Sequence, residues 1–119
     1  MLRKLMVALV GMLMVTSLAA CGSDDPAPLP PNTVLVRGMQ FSPANLTVKV
    51  GDTVTWKFDD QGVAHNVVSE VANVNDPKPL DSGNPQMRGE WSYTFTEAGT
   101  FNYTCAPHPD MRGQITVVG

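Results

Sequence analysis

Residues 101–113 read FNYTCAPHPDMRG and carry three potential metal ligands within one short stretch. Cys105, His108 and Met111 each stand three residues from the next, so their side chains converge only where the chain folds back on itself. The prolines on either side of the histidine favour such a turn, because each fixes its own φ and disfavours helix at the residue before it. The spacing therefore predicts a tight loop that gathers a thiol, an imidazole and a thioether.

Strands are predicted on both sides of this loop. Phe101, Tyr103 and Cys105 alternate with polar residues, so a strand would point all three side chains to one face. After Gly113 the run 114–118 alternates again and predicts a second strand. The local expectation is a strand, a loop that contains the ligands, and a second strand that begins only after the loop.

The donor types favour copper over the other common metals. Soft sulfur ligands suit Cu(I), imidazole serves both oxidation states, and two nitrogens with one thiolate and a weak axial Met describe an electron-transfer copper site. The loop lacks one nitrogen ligand, and His65 is the one other histidine in the chain. We therefore predict a metal site formed by His65, Cys105, His108 and Met111.

Other interpretations of these residues stay open at this point. Cys105 taken alone is as well explained as an inert buried cysteine, and an isolated histidine is more often a core or surface residue than a ligand. A nucleophilic Cys-His dyad would need a third orienting group and a pocket, and the sequence points to neither. A zinc site would normally use more Cys or His residues than this chain supplies.

The chain resembles the cupredoxins, the plastocyanin/azurin family of blue copper proteins, over nearly everything from Thr33 to Gly119. The spacing of two residues between Cys and His, and two between His and Met, is most similar to the amicyanins within that family. The resemblance is carried by the segments Met39-Gln-Phe-Ser-Pro43, Gly51-Asp-Thr-Val-Thr-Trp56, His65-Asn-Val67, Asp81-Ser-Gly83, Tyr93-Thr-Phe95 and Thr104-Cys-Ala-Pro-His108.

The resemblance implies one type 1 copper per chain, held by His65, Cys105 and His108 with Met111 as the axial ligand. It also implies that Asn66 ties the two ligand segments together by hydrogen bonds. The other methionines of the domain, at positions 39 and 87, are interpreted as packing or loop residues because neither has a neighbouring Cys or His.

The rest of the domain has the pattern of an all-β fold. Hydrophobic and polar residues alternate at 46–50, 54–58 and 91–95, which puts one face of each strand into a core. Residues 71–88 are rich in Asn, Pro and Asp and are predicted to form an irregular loop. We expect a single-domain, cupredoxin-like Greek-key β-sandwich.

The N-terminal region has the features of an exported lipoprotein. Residues 1–20 combine a basic start with an apolar stretch too short to span a membrane, which is typical of a signal peptide. Leu18-Ala-Ala-Cys21 resembles a bacterial lipobox, although an ordinary cleavage site followed by a chance Cys would look the same. We expect a lipidated Cys21, a Pro- and Asp-rich linker over 21–32, a cupredoxin domain over 33–119, and attachment to the cell envelope at the periplasmic face or cell surface.

The net charge of the chain limits the classes of partner that it is expected to bind. Without the signal peptide the chain has six basic and eleven acidic side chains, a net charge of -5, with no basic cluster that would bind nucleic acid. Asp110 beside His108 favours a basic redox partner that docks there. We expect a monomeric electron carrier rather than an enzyme, and a copper-binding lipoprotein for copper sequestration or delivery is the alternative.

Overall fold

The computed structural model describes residues 28–119. The predicted signal peptide, the predicted lipidation site at Cys21 and most of the linker lie outside these residues. Within the described range, the structure contains no helix of the length and hydropathy needed to cross a membrane.

Between residues 28 and 119, eight strands form two four-stranded sheets that face each other. The strands are β1 (Thr33–Arg37), β2 (Gln40–Ser42), β3 (Asn45–Lys49), β4 (Thr53–Asp59), β5 (Val68–Ser69), β6 (Arg88–Thr94), β7 (Gly99–Cys105) and β8 (His108–Val118). One sheet has the order β2-β1-β4-β6 and the other β3-β8-β7-β5. The pairs β1/β4 and β3/β8 are parallel and the rest are antiparallel. This confirms the predicted all-β, single-domain sandwich.

The core lies between the inner faces of the two sheets, as the alternation predicts. In β4 every second residue is buried, namely Val54, Trp56 and Phe58. Trp56 contacts Tyr103 of β7 edge to face, with ring centroids 5.5 Å apart, so the aromatic residues join the two sheets. Val50 departs from the prediction: it is 43% exposed, because β3 ends one residue earlier and the chain turns there.

A close approach within this core depends on glycine. A Cβ atom on Gly113 of β8 would lie 2.1 Å from the ring of Tyr103, whose side chain is fully buried. Burial raises the pKa of Tyr103 to about 12, so the phenol packed beneath this glycine is neutral at ordinary pH.

The segment between β5 and β6 is irregular, as predicted, but it is firmly attached to the sandwich. Leu80 is 1% exposed and belongs to the core. Its backbone N–H donates to Ser69 Oγ at 2.8 Å, and its carbonyl accepts the Ser69 N–H at 2.8 Å. These bonds fix the middle of the segment against β5, so the return of the chain towards β6 has a defined position.

Three irregular segments meet at one end of the sandwich, which we call the ligand pole: residues 60–66 after β4, residues 83–87 before β6, and the turn 106–107 between β7 and β8. The first two are joined by a pair of backbone hydrogen bonds of 3.0 and 2.9 Å between His65 and Gln86. Because β1 begins opposite Thr55, near the start of β4, the chain enters the domain at the other pole.

Candidate metal centre

Three of the four residues that the sequence singles out lie together at the ligand pole. Cys105 Sγ is 3.5 Å from Nδ1 of His65 and 3.5 Å from Nδ1 of His108. One donor atom from each of the three residues lies within 4.8 Å of the other two. The imidazole rings stand 4.9 Å apart at an interplanar angle of 56°. His65 and His108, which are 43 positions apart in the chain, thus present nitrogen atoms to the same sulfur.

The four predicted ligands are positioned by three pieces of the fold: β7, β8 and the segment after β4. Cys105 is the last residue of β7 and is fully buried, and His108 is the first residue of β8, across a turn of two residues. His65 lies in the segment after β4, where its backbone pairs with Gln86. Met111 belongs to β8, is 5% exposed and packs in the same core cluster as Cys105.

The form of the ligand loop differs from the prediction. Strand pairing resumes at His108, opposite Cys105. Strand β8 therefore begins at His108 and includes residues that were predicted to form the loop, rather than beginning after Gly113. The chain folds back through a bulge: β8 advances from His108 to Arg112 while β7 moves only from Cys105 to Thr104. The prediction that the second strand begins only after the loop was wrong, because a bulge lets a strand include prolines and extra residues that do not pair.

Thr104 supports this bulge, a role that the sequence analysis missed. Its hydroxyl lies 2.9 Å from the carbonyl of Pro109 and 2.7 Å from that of Met111, and donates towards both. The carbonyls of two residues of the bulge therefore have a side-chain hydrogen-bond donor. A Thr that alternates with Cys in a strand carries no sequence signal for this role.

Asn66 joins the two ligand segments, as the family resemblance implies. Its Oδ1 accepts the backbone N–H of Ala106 at 2.8 Å, and its Nδ2 donates to the carbonyl of Gly83 at 3.1 Å. The side chain is 5% exposed, so these bonds are shielded from water. The side-chain amide of Asn66 therefore holds three segments together: the segment after β4, the turn next to Cys105 and the segment before β6.

A carboxylate behind His65 is a second residue that the sequence analysis missed. Asp60 Oδ2 lies 2.7 Å from His65 Nε2, on the side of the ring away from Cys105. His65 is 0% exposed and the Asp60 side chain 16%. The hydrogen bond with His65 lowers the pKa of Asp60 below its ordinary value, so the carboxylate is ionised at neutral pH. Nothing in the sequence separates it from its neighbour Asp59.

Exposed apolar residues lie around the centre. His108 is half-buried and lies between the exposed Pro107 and Pro109. Met39 and Met87, which were interpreted as packing or loop residues, are 44% and 47% exposed. Both border Asp60, since Met39 N–H lies 3.4 Å from its carboxylate and the Met87 carbonyl accepts its backbone N–H at 3.2 Å.

Met39 is exposed because of its place in a tight hairpin. Gly38 and Met39 form the two-residue connection between β1 and β2, and both have positive φ, 62° and 61°. Such a turn matches the twist of the two strands, and Gly meets its first position without strain. A methionine at the second position is unusual and places a long apolar side chain at the tip of the turn.

The donor set fits copper. A thiolate and two imidazoles whose donor atoms lie within 4.8 Å can surround one ion, and the buried thioether of Met111 adds the soft fourth donor of such sites. Cys105 has no disulfide partner among the described residues. A free, fully buried thiol between two imidazole nitrogens is better explained as a metal ligand than as a packing residue.

Comparisons with known proteins point the same way. Residues 32–118 match the family described as copper binding proteins, plastocyanin/azurin family. Amicyanin of Paracoccus denitrificans is 47% identical over 81 residues, which are 66% of this chain and 59% of that protein. Plastocyanin A/B of Petroselinum crispum is 38% identical over 87 residues, 67% of this chain and 89% of that protein.

Solved structures share the fold. The reduced state of an amicyanin variant superposes with a TM-score of 0.59 at 37% identity, covering 71% of this chain and 79% of the other. A purple cupredoxin from Nitrosopumilus maritimus gives a TM-score of 0.64 at 31% identity, covering 71% of this chain and 97% of that one. The matched residues of this chain span 59% of the length of the Paracoccus denitrificans amicyanin, so the similarity concerns the domain and not everything that protein contains.

Proposed function

Because this chain belongs to the copper-binding proteins of the plastocyanin/azurin family, we propose that it is a type 1 copper protein that carries single electrons between larger redox proteins. Its cofactor is copper, one ion per chain. In the proposal His65, Cys105 and His108 bind the ion and Met111 is a weak fourth ligand. The observation that carries it is the equal 3.5 Å separation of Cys105 Sγ from the two Nδ1 atoms.

Copper bound by one thiolate and two imidazoles supplies a one-electron Cu(II)/Cu(I) couple. The contribution of the chain is to keep the same ligand arrangement in both oxidation states. Cys105 and His65 are fully buried in a close-packed sandwich, and the amide of Asn66 links the segments that bear them. Close-packed interiors resist small displacements, so little rearrangement should accompany a change of charge on the metal.

The surroundings of the centre favour electron transfer over substrate chemistry. Two surface grooves of about 470 and 450 Å³ lie beside β5 and β7, and none of the four proposed ligands lines either one. His65 and Cys105 are 0% exposed, so a small molecule would meet the centre only at the edge of His108. We infer that the protein is a carrier and not an enzyme.

The proposed docking face surrounds His108. Ala64, next to His65 in the chain, is half-buried, and Pro107 and Pro109 on either side of His108 are exposed. The exposed methionines 39 and 87 border the segment that contains Asp60. Such a face suits a partner with an apolar patch. Asp110 is exposed at its rim and, with the net charge of -5 after the signal peptide, favours a partner that is basic around that patch.

Copper sequestration or delivery is the second candidate, and one observation favours it. The exposed thioethers at 39 and 87 are the kind of soft ligands that pass Cu(I) between proteins. Transfer of Cu(I) to a chelator such as bathocuproine separates the two functions. A carrier should lose its copper over hours or longer, whereas a delivery protein should lose it within minutes, and more slowly after Met39→Leu and Met87→Leu.

Lipid attachment through Cys21 is proposed from the sequence alone. The topology is compatible with a membrane anchor at Cys21, because the chain enters the domain at the pole opposite the ligands. A tether there would hold His108 away from the membrane and towards soluble partners. Cys21→Ser should move the protein from the membrane fraction to the soluble fraction, or leave it unprocessed. A wild-type protein without lipid mass on Cys21 would refute the anchor.

The visible absorption spectrum tests the ligand assignment. Cu(II) added to the folded domain should give an intense visible sulfur-to-copper charge-transfer band, and Cys105→Ser should abolish the band while leaving the fold intact by circular dichroism. Thr104→Ser is a matched control on the same strand, since it keeps the hydroxyl near the bulge. A pale copper complex in the wild type would contradict the blue-copper proposal.

A further inference from the structure

We propose that Asp60 is a positioning residue for the copper centre, holding the buried ligand His65 by its outer nitrogen and favouring Cu(II) over Cu(I). The inference rests on the proposed function, since it concerns the same ligand set. It adds a residue that does not touch the metal but determines how one ligand faces it.

The contact between the two side chains is short and sheltered. His65 Nε2 and Asp60 Oδ2 are 2.7 Å apart, within the range of charge-assisted hydrogen bonds. The imidazole is 0% exposed and the carboxylate 16%, so water competes little for either partner. A hydrogen bond in such a place is stronger than its counterpart on the surface.

The carboxylate is itself held in place. Its Oδ2 also lies 3.4 Å from the backbone N–H of Met39, at the tip of the β1–β2 hairpin. The Asp60 backbone N–H donates to the Met87 carbonyl at 3.2 Å, and the Asp60 carbonyl accepts the Val63 N–H at 3.1 Å. Asp60 is therefore fixed from the hairpin, from the segment before β6 and from its own turn.

The first consequence concerns the tautomer of the ring. A metal-ligating imidazole has one ring proton, and the Asp60 oxygen 2.7 Å from Nε2 accepts a hydrogen bond there, so this proton lies on Nε2. The other nitrogen, Nδ1, then has its lone pair free and directed to Cys105 Sγ at 3.5 Å. Asp60 thus selects the form of His65 that can bind a metal at the observed position.

The second consequence concerns the charge at the metal. A carboxylate on the outer nitrogen makes an imidazole a stronger donor, and it adds a negative charge close to the ion. That charge stabilises a divalent ion more than a monovalent one, because the Coulomb energy scales with the charge of the ion. Asp60 should therefore lower the reduction potential of the centre.

The test compares two neighbouring carboxylates. Asp60→Asn keeps the size of the side chain and an acceptor oxygen but removes the charge. Asp59→Asn removes the same charge one residue away, at the end of β4, opposite Arg88 rather than His65. Asp60→Glu restores a carboxylate on a longer arm and serves as the conservative rescue.

We expect Asp60→Asn to weaken Cu(II) binding by about tenfold or more, the usual size of effect for a residue that orients a ligating His. Cu(I) binding should change less, so the reduction potential should rise by about 59 mV for each tenfold change in the affinity ratio. Asp59→Asn should stay close to the wild type, and Asp60→Glu should recover part of the shift. Each value comes from voltammetry and competitive metal titration.

Nitrogen-15 NMR of the Cu(I) protein gives a readout that a merely structural role would not move. The wild type should show a slowly exchanging proton on His65 Nε2, and this proton should exchange faster in Asp60→Asn. Equal potentials in the wild type and Asp60→Asn, or equal shifts in the two Asn variants, would overturn the proposal. If the wild type itself gave no blue complex, the proposed function would fall first, so the two failures are distinguishable.

Discussion

His65 and His108 both direct Nδ1 towards Cys105 Sγ, but the surroundings of the two rings differ. Each Nδ1 lies 3.5 Å from Cys105 Sγ. His65 is 0% exposed, its outer nitrogen faces a carboxylate, and its backbone pairs with a neighbouring segment. His108 is half-buried between two exposed prolines, at the first position of a bulged strand.

The difference between the two regions suggests a division of roles between the two histidines, one of rigid support and one of access to the partner. A centre that must keep its geometry in both oxidation states needs a ligand held rigidly from behind, and His65 has that support. A centre that must also exchange electrons needs a ligand whose ring edge approaches the partner, and His108 has that access.

The largest effect should come from removing each ring in turn. His108→Gly and His65→Gly should both abolish the blue band, because each removes one nitrogen donor. Added imidazole should restore the band of His108→Gly at millimolar concentration, because its cavity opens to solvent. The same imidazole should restore His65→Gly far less, since that ring is 0% exposed and its loss leaves Asp60 without its partner. Equal rescue in absorption titrations would refute the division.

The second effect concerns the strand that carries His108. Gly113→Ala should lower the free energy of unfolding by at least about 1–3 kcal/mol, the usual cost of overpacking, because its Cβ would lie 2.1 Å from the buried ring of Tyr103. Denaturant unfolding of the metal-free protein measures it. Gly119→Ala, which meets nothing within 4 Å, is the control and should be neutral. An unaltered midpoint in Gly113→Ala would mean that the ring moves freely.

The two regions differ in how far the sequence reveals them. The His108 region was largely predictable, because Cys, His and Met stand close together and their types specify the metal. The predicted all-β fold and the cupredoxin resemblance are confirmed, and the alternating strands predicted most of the core. The form of the loop was not predictable, since the bulge depends on a hydroxyl of Thr104 that reaches two carbonyls.

The support of His65 is invisible in the sequence for a physical reason. Asp60 and Asp59 are adjacent and chemically identical, and only the direction in which the chain leaves β4 decides which one meets the imidazole. Leu80 is similar: it lies in a segment rich in proline and aspartate, yet it is a core residue whose backbone is hydrogen-bonded to Ser69 of β5. Contacts between distant segments decide both cases.

The third effect concerns the axial position. Met111→Leu should keep the blue colour and raise the reduction potential, because loss of a weak donor destabilises Cu(II) more than Cu(I). A tenfold change in the affinity ratio would appear as about 59 mV in voltammetry. Met87→Leu makes the same substitution at a residue that is 47% exposed and should leave the potential unchanged. A potential in Met111→Leu equal to that of the wild type would show that Met111 is not a ligand.

The smallest effect should be at the rim of the docking face. Asp110→Lys should slow reduction by the cation hexaammineruthenium(II) several-fold at low salt, with the gap closing as ionic strength rises. Glu97→Lys makes the same charge change in the turn between β6 and β7 and should have little effect. Potentials must be matched, because Asp110 neighbours two proposed ligands. Equal low-salt rates for the two variants would exclude electron entry near His108.

X-ray absorption at the copper edge reports the ligands of the ion in each oxidation state, and so shows whether His65, Cys105 and His108 bind copper in both. We expect one sulfur and two imidazole nitrogens at short distance in the oxidised protein, and the same set with nearly unchanged distances after reduction. Loss of an imidazole on reduction, or a copper surrounded by oxygen ligands in either state, would contradict this expectation.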